Sequence, residues 1–162
     1  MSDDRETVLS FLRRALGRDG PVDSETAAKL RARMDGHTRN TVPARTALDA
    51  AELVELFETM AQNVHATVSH VADMSDVPGA VGEYLRSENL PSEIVMAPDA
   101  TLDAAPWADN ALLEIRRGVP VESDQVSVTS APAAVAETGT LAMYSGPDHP
   151  STLNFIPETH VV

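Results

Sequence analysis

A mixed α/β domain with a mainly parallel sheet, preceded by helices, is the fold class that three observations predict. From residue 49 onward, helix-like and strand-like periods succeed one another with short connectors, the pattern of chains that build a parallel sheet. The 162 residues suffice for one real core and are too few for two comfortable ones. Hydrophobic residues at 43% and charged ones at 23% match globular proteins, and aromatic residues at 4% leave the core to Ala, Val and Leu.

The elements follow in order. Asp3 or Asp4 can cap a first helix whose Val8, Leu9, Leu12, Ala15 and Leu16 form one stripe before Gly17 and Gly20 end it. Arg13, Arg14 and Arg18 favour the negative end of its dipole. A second helix starts at Ser24, with Ala27, Leu30 and Met34 on one side. Residues 36–46 read as a linker, because Gly, His, Thr, Asn and Pro break the period and Pro43 disfavours a helical residue before it. The boundaries are therefore a helical extension and linker over 1–46 and an α/β domain over 47–162.

Within that domain, Ala50, Leu53, Val54, Phe57 and Met60 mark an amphipathic helix over 49–60. Alternation predicts a strand at 66–71, and a helix is expected over 75–87 despite Pro78, Gly79 and Gly82. The apolar run 93–97 is a short strand ending at Pro98. Residues 108–115 give no clear signal, and Trp107, the single tryptophan, reads as a partly buried packing residue. A strand is expected at 125–129, a helix turn in the Ala-rich 131–136, and a strand at 141–144. A further apolar segment begins at His160-Val161-Val162.

Charge and residue usage exclude several function classes. A net charge of −13 and a pI near 4.6 make non-specific attraction to nucleic acid or anionic lipid unfavourable. Nine of the twelve Lys and Arg residues lie at or before Arg45, and only Arg86, Arg116 and Arg117 follow. Without cysteine, the sequence offers no disulfide, cysteine nucleophile or thiolate-held zinc or iron–sulfur centre. No apolar run approaches the roughly 20 residues of a membrane span, and the acidic start is not a signal peptide, so the cytoplasm is the expected location.

The candidate site centres on Ala136-Glu137-Thr138-Gly139-Thr140-Leu141. A carboxylate beside a Thr-Gly-Thr bend can point into a crevice, and the bend's backbone N–H groups can hold an anion. Glu137 is thus the candidate catalytic residue, with Thr138, Gly139 and Thr140 as candidate ligand-binding residues for a small organic acid or phosphate. The competing reading makes Gly139 a tight connection and Glu137 a solvated turn residue. An anion held there would draw on backbone N–H groups, on histidine, or on Arg116 and Arg117 folded back toward it. The expected strand, turn, strand junction lies near the edge where open α/β sheets bind ligands.

Ser145, Gly146 and His160 complete the candidate binding set. Ser145-Gly146-Pro147 lacks a nucleophile elbow, the nearby Asp148-His149 makes no triad, and a turn is the better account. His160 beside Glu158 can act as acid or base near neutral pH, or simply end a strand. The five histidines lack the paired spacing of a metal site, so no metal is expected.

Val126-Ser127-Val128-Thr129, Ala136-Glu137-Thr138-Gly139-Thr140-Leu141, Pro157 and His160-Val161-Val162, in this order and spacing, resemble the lactate-utilization domain family. The helix with Leu53-Val54-Glu55-Leu56-Phe57, the strand from His65 and Pro106-Trp107 also fit, from about Leu48 onward. The resemblance implies a three-layer α/β/α fold similar to sugar-phosphate isomerases and coenzyme A transferases. It implies an accessory subunit, without cofactor of its own, beside two iron–sulfur subunits that oxidise L-lactate to pyruvate in the cytoplasm. The clusters would reside only in those partners. The family pattern continues past His160-Val161-Val162 through a helix and a glycine-rich segment, so the C-terminal part of the domain is expected to be absent and a homo-oligomer through the uncovered sheet edge becomes plausible. Coenzyme A transferases of the related fold use a glutamate two residues before a glycine, as Glu137 precedes Gly139, which leaves two alternatives open. One is a stand-alone transferase or isomerase acting on a small acid, thioester or sugar phosphate through Glu137; the other is a metabolite-sensing binding module.

Overall fold

The computed structural model describes residues 2–18 and 20–162. The chain divides into two compact units, the first ending at Val42 and the second running Pro43–Val162. The first unit contains two helices, α1 (Ser2–Ala15) and α2 (Ser24–Asp35). Because α1 already includes Asp4, that residue is not its cap, and the Asp3 side chain lies outside the described residues. Asp23 does cap α2, its carboxylate accepting from the Thr26 N–H at 2.9 Å.

The second unit opens with a single 3-10 turn at Ala44–Thr46 and then α3 (Ala50–Gln62). Its start is fixed by a capping box: Asp49 accepts from the Ala51 and Glu52 N–H groups, and the Glu52 side chain accepts from Asp49 N–H at 2.9 Å. Helix α4 (Val77–Ser87) tolerates Pro78 because it occupies the first turn, where its missing N–H has no partner to lose. Strand β1 (Glu93–Met96), the short helix α5 (Ala100–Asp103), β2 (Glu114–Arg117), β3 (Val126–Val128), β4 (Ala133–Val135), β5 (Thr140–Ala142) and β6 (Thr159–Val161) follow.

Four of these strands form one all-parallel sheet in the order β2-β1-β3-β6. Successive residues of a strand point to opposite faces, yet Ile94, Val95 and Met96 of β1 and all three residues of β3 are buried. Both faces of the central strands are therefore covered, as in a three-layer α/β arrangement. Register sets Val95, Ser127 and His160 side by side on one face and Met96, Val128 and Val161 on the other. The core adds Val81 and Leu85 of α4, Leu102, Trp107 and Leu153. Ser127, fully buried, donates its hydroxyl to the Leu153 carbonyl at 2.7 Å, and Trp107 donates its ring N–H to the Leu102 carbonyl at 2.6 Å.

Two local expectations are corrected, and one stretch without a clear signal gains a strand. Residues 66–71 join no strand; all but the half-buried Val68 are exposed, so little of the segment's apolar surface is packed. Residues 131–136 are not a helix turn. Pro132 and Val135 oppose the helical preference of the alanines, and pairing of Ala134 with Leu141 and Val135 with Thr140 makes β4 and β5 an antiparallel hairpin of their own. The unclear stretch 108–115 holds the start of β2, an edge strand whose Glu-Ile-Arg-Arg composition is that of a strand guarded by charge.

Candidate functional site

The Glu137 motif is the turn of the β4–β5 hairpin, outside the parallel sheet, so the expectation that it lies at the sheet's ligand-binding edge is also corrected. Gly139 adopts φ +64°, and a Cβ there would stand 2.6 Å from Ala61 N and 2.7 Å from the Met60 carbonyl carbon. A glycine is needed twice over: for the left-handed backbone and for close approach to the end of α3. The Thr138 and Thr140 hydroxyls bond each other at 2.8 Å.

Glu137 forms an ion pair with Arg45, which belongs to the 3-10 turn before α3. Arg116 and Arg117 are engaged elsewhere. Arg116 pairs with Asp124 and donates to the Val119 carbonyl at 2.9 Å, while Arg117 pairs with Asp103 at 2.6 Å and donates to the Ala97 carbonyl at 2.7 Å. The cation at Glu137 thus comes from the segment read as linker. Glu137 is the acidic member of a cavity of about 440 Å³ whose other lining is Thr46, Leu53, Val54, Phe57 and Ala134 to Ala136. Apolar walls with a carboxylate–guanidinium pair beside them suit a small molecule with an apolar body and one charged end.

The remaining candidates fall in two other places. Gly146 is bridged to His149 by two backbone hydrogen bonds of 3.1 Å, closing a turn just after Ser145. His160 is half-buried on β6, its Nε2 2.8 Å from the Thr129 hydroxyl, and burial pushes its pKa below the ordinary value. It lines a second cavity, about 480 Å³, with Tyr84 of α4 and the segment from His65.

Sequence reasoning weighed His149 only beside Ser145 and missed the polar cluster it joins. Asp99, just past β1, accepts from the Ser130 hydroxyl and from the Thr101 N–H at 2.8 Å, and His149 Nδ1 stands 3.8 Å away. Burial raises the Asp99 pKa, but the Ser130 and Thr101 hydrogen bonds and the His149 charge outweigh it, and the carboxyl titrates below its ordinary value. The His149 Nε2 bonds the Tyr144 hydroxyl. The available signal was a polar residue just past each of two apolar strands.

A LUD-domain family model matches residues 54–162, two-thirds of the chain and nearly all of the second unit. The chain belongs to the LUD-domain family. Over 117 residues this LUD-domain chain is 26% identical to Lactate utilization protein C of an Exiguobacterium species, strain AT1b. The match takes in 68% of the chain and 50% of the relative, so the chain spans about half the length of the curated relative it matches. No solved structure matches it.

Proposed function

We propose that this LUD-domain chain serves lactate utilization as an accessory subunit that bears no cluster, bound to iron–sulfur subunits that oxidise L-lactate to pyruvate in the cytoplasm. The observation that carries this reading is the LUD-domain match, joined to a relative named for lactate utilization. The cysteine-free sequence supports the division of labour, because thiolate ligands would have to come from the partners. The chain's own part is to hold a small acid. The residues proposed for it fall in three places: Glu137, Thr138, Gly139 and Thr140 at the hairpin turn, Ser145 and Gly146 at the turn before His149, and His160 on β6.

A second reading, a transferase or isomerase with Glu137 as nucleophile, draws on the position of Glu137 in the cavity wall. The Arg45 pair argues for holding charge over attack, since a carboxylate engaged by guanidinium is a weaker nucleophile. Light scattering after size exclusion separates the readings. A stable complex when the chain is mixed with the iron–sulfur subunits supports the accessory role. A homo-oligomer that ignores them, together with turnover by the isolated chain, would replace it with the enzyme.

A further inference from the structure

The direction in which successive connections extend the sheet switches between β1 and β3. From the carboxyl end of β1 the chain crosses to β2 on one side, and from the carboxyl end of β3 it crosses to β6 on the other. Connections that leave neighbouring strands in opposite directions open a crevice above them, and open parallel sheets take their ligands there. Asp99 follows β1 by three residues and Ser130 follows β3 by two, so the bond between them joins the chain just past the carboxyl ends of these two strands.

The long connection after β5 supplies two more groups. The turn closed between Gly146 and His149 delivers the imidazole to the buried carboxylate, and the ring's far nitrogen bonds the Tyr144 hydroxyl. The four groups run from inside to outside. The side chains of Asp99 and His149 are 7% and 13% exposed, whereas Tyr144 is 54% exposed. At 3.8 Å the Asp99–His149 contact is too long for a hydrogen bond, and it leaves Nδ1 facing the carboxylate and Nε2 facing the Tyr144 hydroxyl. Capping α5 requires only the Thr101 N–H on Asp99; Ser130, His149 and Tyr144 go beyond that need.

We infer that Asp99, Ser130, His149 and Tyr144 form a binding site for a small hydroxy- or oxo-acid, with the Tyr144 hydroxyl meeting the ligand's hydroxyl or keto oxygen and His149 held behind it by Asp99. The place of the site rests on topology and geometry, and the ligand class rests on the lactate-utilization reading above.

Titrating the full chain with L-lactate and with pyruvate, followed by the ring ¹H–¹⁵N signals of His149, tests this. The signals are assigned by their loss in His149→Gln, and the sole tryptophan's fluorescence checks that each variant is folded. A saturable shift with at least one of the two acids is expected, with none from propionate, which lacks both oxygens. Tyr144→Phe should weaken binding about five- to tenfold, the worth of one hydrogen bond. Shifts undiminished in Tyr144→Phe, or abolished by Glu137→Gln in its place, overturn the site, and no saturable shift with either acid overturns the assignment of ligand class. Failure of the chain to bind iron–sulfur subunits, with the His149 titration as expected, would remove the accessory role and leave the site standing.

Discussion

Gly139 lies directly against the backbone of Ala61: a Cβ on the glycine would stand 2.6 Å from the Ala61 nitrogen. The hairpin turn therefore seats on the end of α3 through main chain, where neither side can yield by rotating a side chain. Gly139→Ala should combine the cost of a left-handed backbone with that of overpacking, about 2–4 kcal/mol together. Urea denaturation followed by Trp107 fluorescence measures it, and a loss below half a kilocalorie would contradict the seating.

Arg45 and Glu137 make a weaker contribution. With the arginine side chain 70% exposed, solvent screens the pair, and Arg45→Met should lower stability by less than about 1 kcal/mol. The same variant should reduce affinity for any carboxylate bound in the adjoining cavity. Calorimetry beside a denaturation curve distinguishes the two effects.

Leu153 is fully buried, and its carbonyl takes the Ser127 hydroxyl. Leu153→Ala should cost about 2–5 kcal/mol through lost transfer energy and a cavity. Ser127→Ala should cost about 1–2 kcal/mol, mainly for the carbonyl left without its donor. Thermal melts of both variants give the ordering.

Acidification should destabilise the protein in two separate windows. Burial lowers the His160 pKa from 6.5, so as the pH falls below that value the unfolded chain takes up a proton that the folded chain refuses. Stability is complete above 6.5 and drains away as the pH drops toward the folded value. The Asp99 carboxyl is likewise depressed, from 3.8, and its contribution is present above that value and lost below it. His160→Gln should flatten the upper part of the stability–pH profile, and Asp99→Asn the lower part alone.

What the sequence disclosed depended on distance along the chain. The strands at 93–97 and 125–129 were legible because a strand covered on both faces is a continuous apolar run, and the helix at 49–60 because its stripe has a single period. Strand β2 was not, since Ile115 stands alone among charges on an edge. The hairpin was hidden by alanines whose helical preference is local, whereas the pairing that overrides it needs the glycine turn and the α3 surface beyond it. No pattern in sequence joins Arg45 to Glu137 across 92 positions, nor Asp99 to Ser130 across 31.

The all-parallel sheet also dictates an order of folding events. Pairing Val126 with Thr159 closes a loop of more than thirty residues, whereas the β4–β5 hairpin closes across the four residues Ala136 to Gly139. Chain entropy is surrendered in the long loops before the ladder repays it, so the hairpin and α3 can organise in microseconds while β1, β3 and β6 assemble slowly. Until they do, Val95, Met96, Val126 and Val128 remain open to other chains, and it is in refolding at high concentration, rather than in the finished molecule, that aggregation will compete.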